Sequence, residues 1–240
     1  MTVLQEIWER MIETHPPLPI GTAWITIVAA AVIVFVPGSW RIARHGVTIV
    51  HEGGHGAAAT LSGRRLSGIR LHSDTSGLTV SRGRPRGPGM VFTLIAGYPA
   101  PALLGLGSAV LLGRGYDVGL LWALLAALVL VLVQIRNWFG LWSVAVTGTV
   151  IFTVSWFGSP SVQSIFALLL TAFLLLGAVR TVIELQQSRH RRSAGASDAD
   201  QLARLTHLPG IIWVGVFFTV NLACLILAVQ FLGLLPAGGA

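Results

Sequence analysis

Apolar residues recur in blocks of about twenty along most of this chain, the length at which a helix crosses the hydrocarbon core of a bilayer. The blocks cover residues 20–37, 44–62, 89–113, 118–136, 139–157, 161–184 and 210–235, and predict about seven transmembrane helices. Ahead of them, residues 1–15 place Val3, Leu4, Ile7, Trp8, Met11 and Ile12 on one helical face, opposite Glu6, Glu9, Arg10 and Glu13. That is the pattern of an amphipathic interfacial helix, and Pro16, Pro17 and Pro19 end it. Two polar stretches interrupt the rest. In residues 63–88, Ile69-Arg70-Leu71-His72 and Leu78-Thr79-Val80-Ser81 alternate around Ser73-Asp74-Thr75-Ser76-Gly77, which predicts a β-hairpin. Residues 185–209 read as a loop in which Ser197 caps a helix start with Asp198 and Asp200 in its first turn. No internal repeat is visible, so residues 1–240 are read as one all-α polytopic membrane domain with a small hairpin.

Composition agrees with that reading. Hydrophobic residues make up 54% of the chain and charged residues only 10%, against about 25% charge in an ordinary soluble domain. The net charge of +7 comes from arginine alone, and the arginines cluster between apolar runs, where they report topology rather than a nucleic-acid face. With a cytoplasmic N-terminus, only Arg41, Arg44 and Arg114 fall outside, while the hairpin and the 185–209 loop are cytoplasmic. A multi-pass protein of the cell membrane is the expectation. The first apolar run follows an acidic segment and lacks a small-x-small cleavage site, so it reads as a retained helix. Cys224 is the sole cysteine, which excludes a disulfide framework and a thiolate metal site.

The second apolar block carries the chemistry. His51-Glu52-Gly53-Gly54-His55 is an H-E-x-x-H sequence, and on a helix its two imidazoles share one face and can hold one metal ion. Glu52 then stands beside them as a base for water activated by that metal, the arrangement of a zinc hydrolase. Ionisable groups cost roughly 2.5 to 3.5 kcal/mol each at mid-bilayer, so three within five residues require a compensating role. A catalytic zinc keeps three protein ligands, and no third histidine follows at the spacing of soluble zincins. Asp74, Asn137, Glu184, Asp198 and Asp200 remain as candidates, each with a structural explanation as a turn, helix-end or ion-pair residue. The Asp198–Asp200 pair is the first choice, because its loop can fold back beneath the bundle.

The helix-borne His-Glu-Gly-Gly-His, the following Gly63, the hairpin and Ala96-Gly97-Tyr98-Pro99 together resemble the site-2 protease family of intramembrane zinc metallopeptidases. Ile69-Arg70-Leu71-His72, Arg136-Asn137 and Ser197-Asp198-Ala199 resemble its B-type branch, found in actinobacteria and fungi, and the similarity spans residues 40 to about 208. The resemblance implies zinc on His51 and His55, Glu52 as catalytic base, and a membrane-embedded or membrane-proximal protein as substrate. The chain departs from the family at the usual third ligand. Asn137 begins the Asn-x-x-Pro stretch, but Gly140 replaces the proline, and Ala145 stands where the Leu-Asp-Gly aspartate falls. Asp198 as substitute, Asn137 as a weak ligand, and loss of peptidase activity are the three ways to read that gap. The last gives the rival function, a catalytically inactive membrane scaffold or chaperone. A transporter with proton-relaying histidines predicts inverted repeats, which the sequence lacks.

Overall fold

The computed structural model describes residues 2–191 and 197–234. Its first helix, α1 (Val3–Ile12), begins with a capping box in which Thr2 and Gln5 satisfy each other's backbone N–H groups. The apolar blocks become α2 (Ile20–Phe35), α3 (Pro37–Leu61), α4 (Pro88–Ala96), α5 (Ala100–Gly113), α6 (Asp117–Gln134), α7 (Trp138–Phe157), α8 (Pro160–His190) and α10 (Gly210–Phe231). The hairpin is β1 (Arg65–Leu71) and β2 (Gly77–Arg82), antiparallel, and α9 (Asp198–Thr206) precedes α10. Proline opens α3, α4 and α8, where its missing N–H leaves nothing unsatisfied. The 185–209 stretch is therefore mostly helical rather than a loop. Residues 185–190 extend α8, and α9 starts at the Ser197 cap through a second capping box with Asp200. Residues 192–196, which include the predicted loop arginine Arg192, lie outside the described part of the chain.

Among the described residues, α6, α7, α8 and α10 are each long and apolar enough to cross a membrane. Two bent pairs, α2 with α3 at 96° and α4 with α5 at 63°, add at most one crossing each, giving four to six. Seven separate spans are not reached by this measure, because the histidine-bearing helix meets α2 at a bend of 96° and the two qualify only together. The second bend falls at Gly97-Tyr98-Pro99, where two prolines, Pro99 and Pro101, cannot donate to the preceding turn. Asn221, fully buried in α10, donates instead to the carbonyls of Tyr98 and Ala178.

The long helix α8 forms the middle of the bundle and packs against α2, α5, α6 and α10. Two ends of the bundle can be told apart by their contacts. At one, the His15 backbone bonds Gly115, His15 Nδ1 sits 2.7 Å from Asp117 Oδ1, and Arg10 donates to the Trp156 carbonyl. At the other, Trp40 donates to Glu184, Arg180 to the Val34 carbonyl, and Ser62 to the Gly89 carbonyl. Both termini of α3 meet that second end, together with the hairpin and α9. Residues 1–15, expected on the same side as the hairpin, pack at the opposite end of the bundle. Arg44, near the start of α3, lies at the hairpin end, its Nε 3.5 Å from Glu184 Oε2.

The hairpin is tied to the α6–α7 turn. Ile69 bridges Ile135, the Arg136 amide donates to the Ile69 carbonyl, and the Asn137 side chain holds both the N–H and the C=O of Leu71. Ile69 and Leu71 bury against Ile49 of α3 and Val144 of α7. Gly68 takes φ +146 at a β-bulge where Arg136 crosses its backbone, a place that leaves no room for a side chain.

Candidate metal centre

His51 and His55 fall one turn apart on α3, and their Nε2 atoms lie 3.1 Å from each other. Asp198, the first residue of α9, brings Oδ2 to 3.4 Å from His51 Nε2 and 3.2 Å from His55 Nε2. Among the described residues, these three form the group of His, Cys, Asp or Glu side chains whose ligand atoms converge within 4.8 Å. A tetrahedral zinc with bonds of about 2.0–2.2 Å spaces its ligand atoms about 3.3–3.6 Å apart. The triangle is therefore close to the size such an ion requires. The donor set, two imidazoles and a carboxylate, is also one that catalytic zinc uses.

Surrounding groups aim these atoms. His55 Nδ1 lies 2.7 Å from the Thr93 carbonyl, which can only accept, so Nδ1 carries a proton and Nε2 is turned to the site. The His51 ring stands edge-on to Tyr98 with centroids 4.7 Å apart, and Tyr98 stacks on Phe217 of α10. Gly97 lets the α4–α5 break touch both imidazoles, because a Cβ there would overlap the two rings. Gly54 likewise lets α3 close on Ala96 and Ala100. Burial alone would raise the Asp198 carboxyl, but the facing His55 and His51 imidazoles outweigh it and hold the group below the usual carboxylate range. Its place in the first turn of α9 favours the anion further.

Glu52 is 5% exposed and shares this site with the histidine pair, and on its β2 side the Thr79 hydroxyl lies 2.5 Å from its Oε2. A polar cavity of about 410 Å³ joins these groups; Arg44, Thr48, Ser81 and Gln201 also line it.

The other candidates are engaged elsewhere. Asp74 closes the hairpin turn on Ser76, Glu184 accepts from Trp40 and Arg180, and Asp200 caps α9 and pairs with Arg189. Asn137 is spent on Leu71, and Arg136 caps the α6 carbonyls of Val133 and Ile135. Ala145 is exposed on α7, since the helix turns its neighbour Val144 toward the hairpin. Sequence reasoning missed Thr93, Thr79 and Gly77. Thr93 acts through a backbone carbonyl, which no side-chain pattern reports, whereas Thr79 and Gly77 share one face of a strand already predicted.

A family model described as Peptidase M50B-like matches residues 24–228 of the chain. No curated protein and no solved structure matches it.

Proposed function

Because this chain belongs to the Peptidase M50B-like family, a site-2 protease assignment, we propose that it is a multi-pass membrane zinc metallopeptidase. Its substrate is then a membrane-embedded or membrane-proximal stretch of another protein. The observation that carries the reading is the convergence of Asp198 on His51 and His55 with Glu52 beside them. When bound, zinc supplies Lewis acidity toward water and toward the scissile carbonyl.

The chain's own residues supply the rest. His51, His55 and Asp198 hold the ion, with the Thr93 carbonyl and the Tyr98 ring fixing the imidazole planes. Glu52 takes the proton of the attacking water and returns it to the leaving amine. Its nearly complete burial keeps competing water away from the carboxylate, while the polar cavity admits the water that reacts. An inactive scaffold gained its support from the missing Leu-Asp-Gly aspartate. Asp198, within 3.4 Å of both histidines, offers a carboxylate in its stead and supports the peptidase reading over the scaffold.

Orientation follows from the bundle ends. Thirteen described arginines, at 41, 44, 64, 65, 70, 82, 84, 86, 136, 180, 189, 191 and 204, lie at the hairpin end, and only Arg10 and Arg114 lie at the other. By the positive-inside rule the hairpin and α9 face the cytoplasm of a cell membrane, and α1 faces the outside.

The test is elemental analysis and proteolysis with detergent-purified protein. Wild type is expected to carry about one zinc per chain, a catalytic site's single ion. Glu52→Gln keeps the metal and loses cleavage, and His55→Ala loses both. Cleavage that persists in Glu52→Gln sinks the mechanism.

A further inference from the structure

Glu52 has three rotatable side-chain bonds, yet a general base must hold one oxygen within hydrogen-bond reach of the proton it takes. Something has to fix that side chain. On β2 exposure alternates: Gly77, Thr79 and Ser81 are the half-buried positions and line the cavity, whereas Leu78, at the cavity's rim, and Val80 are exposed. Thr79 Oγ1 lies 2.5 Å from Glu52 Oε2 and 3.1 Å from the Glu52 backbone oxygen. A threonine hydroxyl has one proton to give, and the carboxylate is both nearer and the stronger acceptor. Two residues earlier on the same face, Gly77 presses bare backbone against the carboxylate. A Cβ there would overlap Oε1, Cγ and Cδ of Glu52.

We infer that Thr79, with Gly77 seating the strand, is a positioning residue for Glu52. The hydroxyl ties down Oε2, the glycine backbone packs against the other side of the carboxylate, and the group is left with one orientation. Among the described residues no hydrogen bond engages Oε1, which therefore stays available as the proton-accepting oxygen. The hairpin thus belongs to the catalytic machinery through its second strand. The inference rests on the reading of Glu52 as base.

The experiment compares full-length wild type, Thr79→Val, Thr79→Ser and Glu52→Gln in detergent. Fluorescein-labelled casein serves as the cleavage probe, elemental analysis reads zinc, and infrared difference spectra against Glu52→Gln isolate the Glu52 carboxylate stretch in metal-free protein. Valine is isosteric with threonine, so packing is kept while the hydroxyl is lost. Thr79→Val is expected to retain zinc and KM, to lose about 10- to 100-fold in kcat through misplacement of the base, and to shift the carboxylate band. Thr79→Ser, which restores the hydroxyl, recovers both. A wild-type kcat and an unshifted band in Thr79→Val, beside an inactive Glu52→Gln, overturn the role of Thr79 and leave the base assignment standing. An active Glu52→Gln overturns both.

Discussion

Asp198 Oδ2 stands 3.2 Å from His55 Nε2, although one residue begins α9 and the other lies deep in α3. This approach needs α9 to sit firmly, and it does: Ala199 and Leu202 are fully buried with Val182, Leu185 and Phe217. Asp198→Ala is therefore expected to abolish stoichiometric zinc binding while leaving the helical fold intact, since the buried apolar face of α9 is untouched. Elemental analysis beside circular dichroism checks it. Zinc retained at one per chain in Asp198→Ala would remove this residue from the ligand set.

Gly97 offers a steric probe of the same centre. Its Cα passes so close to both imidazoles that a methyl group must displace them, and overpacking of this kind costs about 1–3 kcal/mol. Gly97→Ala is expected to lower the thermal midpoint and weaken zinc binding together. Gly107, with open space around its Cβ direction, supplies the control: Gly107→Ala leaves zinc unchanged.

Asn137 reads as a tether for the hairpin. Its amide makes two hydrogen bonds to the Leu71 backbone, at 3.2 and 2.6 Å. Removing it leaves a partly buried N–H and C=O unsatisfied, at a cost of about 1–3 kcal/mol. Hydrogen exchange in Asn137→Ala is expected to quicken across residues 65–82 and to stay at the wild-type rate in α8. Unchanged protection of the hairpin would assign its anchoring to the apolar contacts of Ile69 and Leu71 alone.

Asp74 gives a pH dependence outside the membrane. Hydrogen bonds from the Ser76 hydroxyl and amide hold its carboxyl below the usual carboxylate range. A depressed folded-state value means that the turn's contribution is fully present above the unfolded value of about 3.9 and is lost as pH falls through the lower folded value. The Ser76 amide resonance is expected to move only in that acidic window, and Asp74→Ala removes the transition. A transition centred above the ordinary carboxylate value would contradict the geometry.

The two ends of the bundle can be labelled directly. In a Cys224→Ser background, single cysteines replacing Glu13 and Arg114 are expected to react with an impermeant maleimide from one side of the membrane. Cysteines replacing Ser73 and Arg191 react from the other. Labelling of residues 13 and 73 from the same side would restore the seven-crossing topology.

The sequence by itself determined where helices and hairpin form, because those depend on local periodicity, prolines and caps: Pro37, Pro88 and Pro160 open helices, and Ser73 to Gly77 spans the hairpin turn. It also determined the histidine pair, since i and i+4 on one helix face are neighbours in any fold. It did not determine whether a helix with a polar face crosses the membrane. That choice depends on whether α3 is covered by β2, α4 and α9, and no window of residues encodes it. Tertiary structure alone decided that Asp198 rather than Asp74, Asn137, Glu184 or Asp200 meets the histidines. All five are polar residues in short connections or near helix ends, and only the packing of Leu202 and Ala199 beneath α4 and α10 fixes which oxygen arrives. The same holds for Thr79. Its alternation places it on a face, but the distance to Glu52 exists only once Asn137 and Ile135 have fastened the hairpin to the bundle.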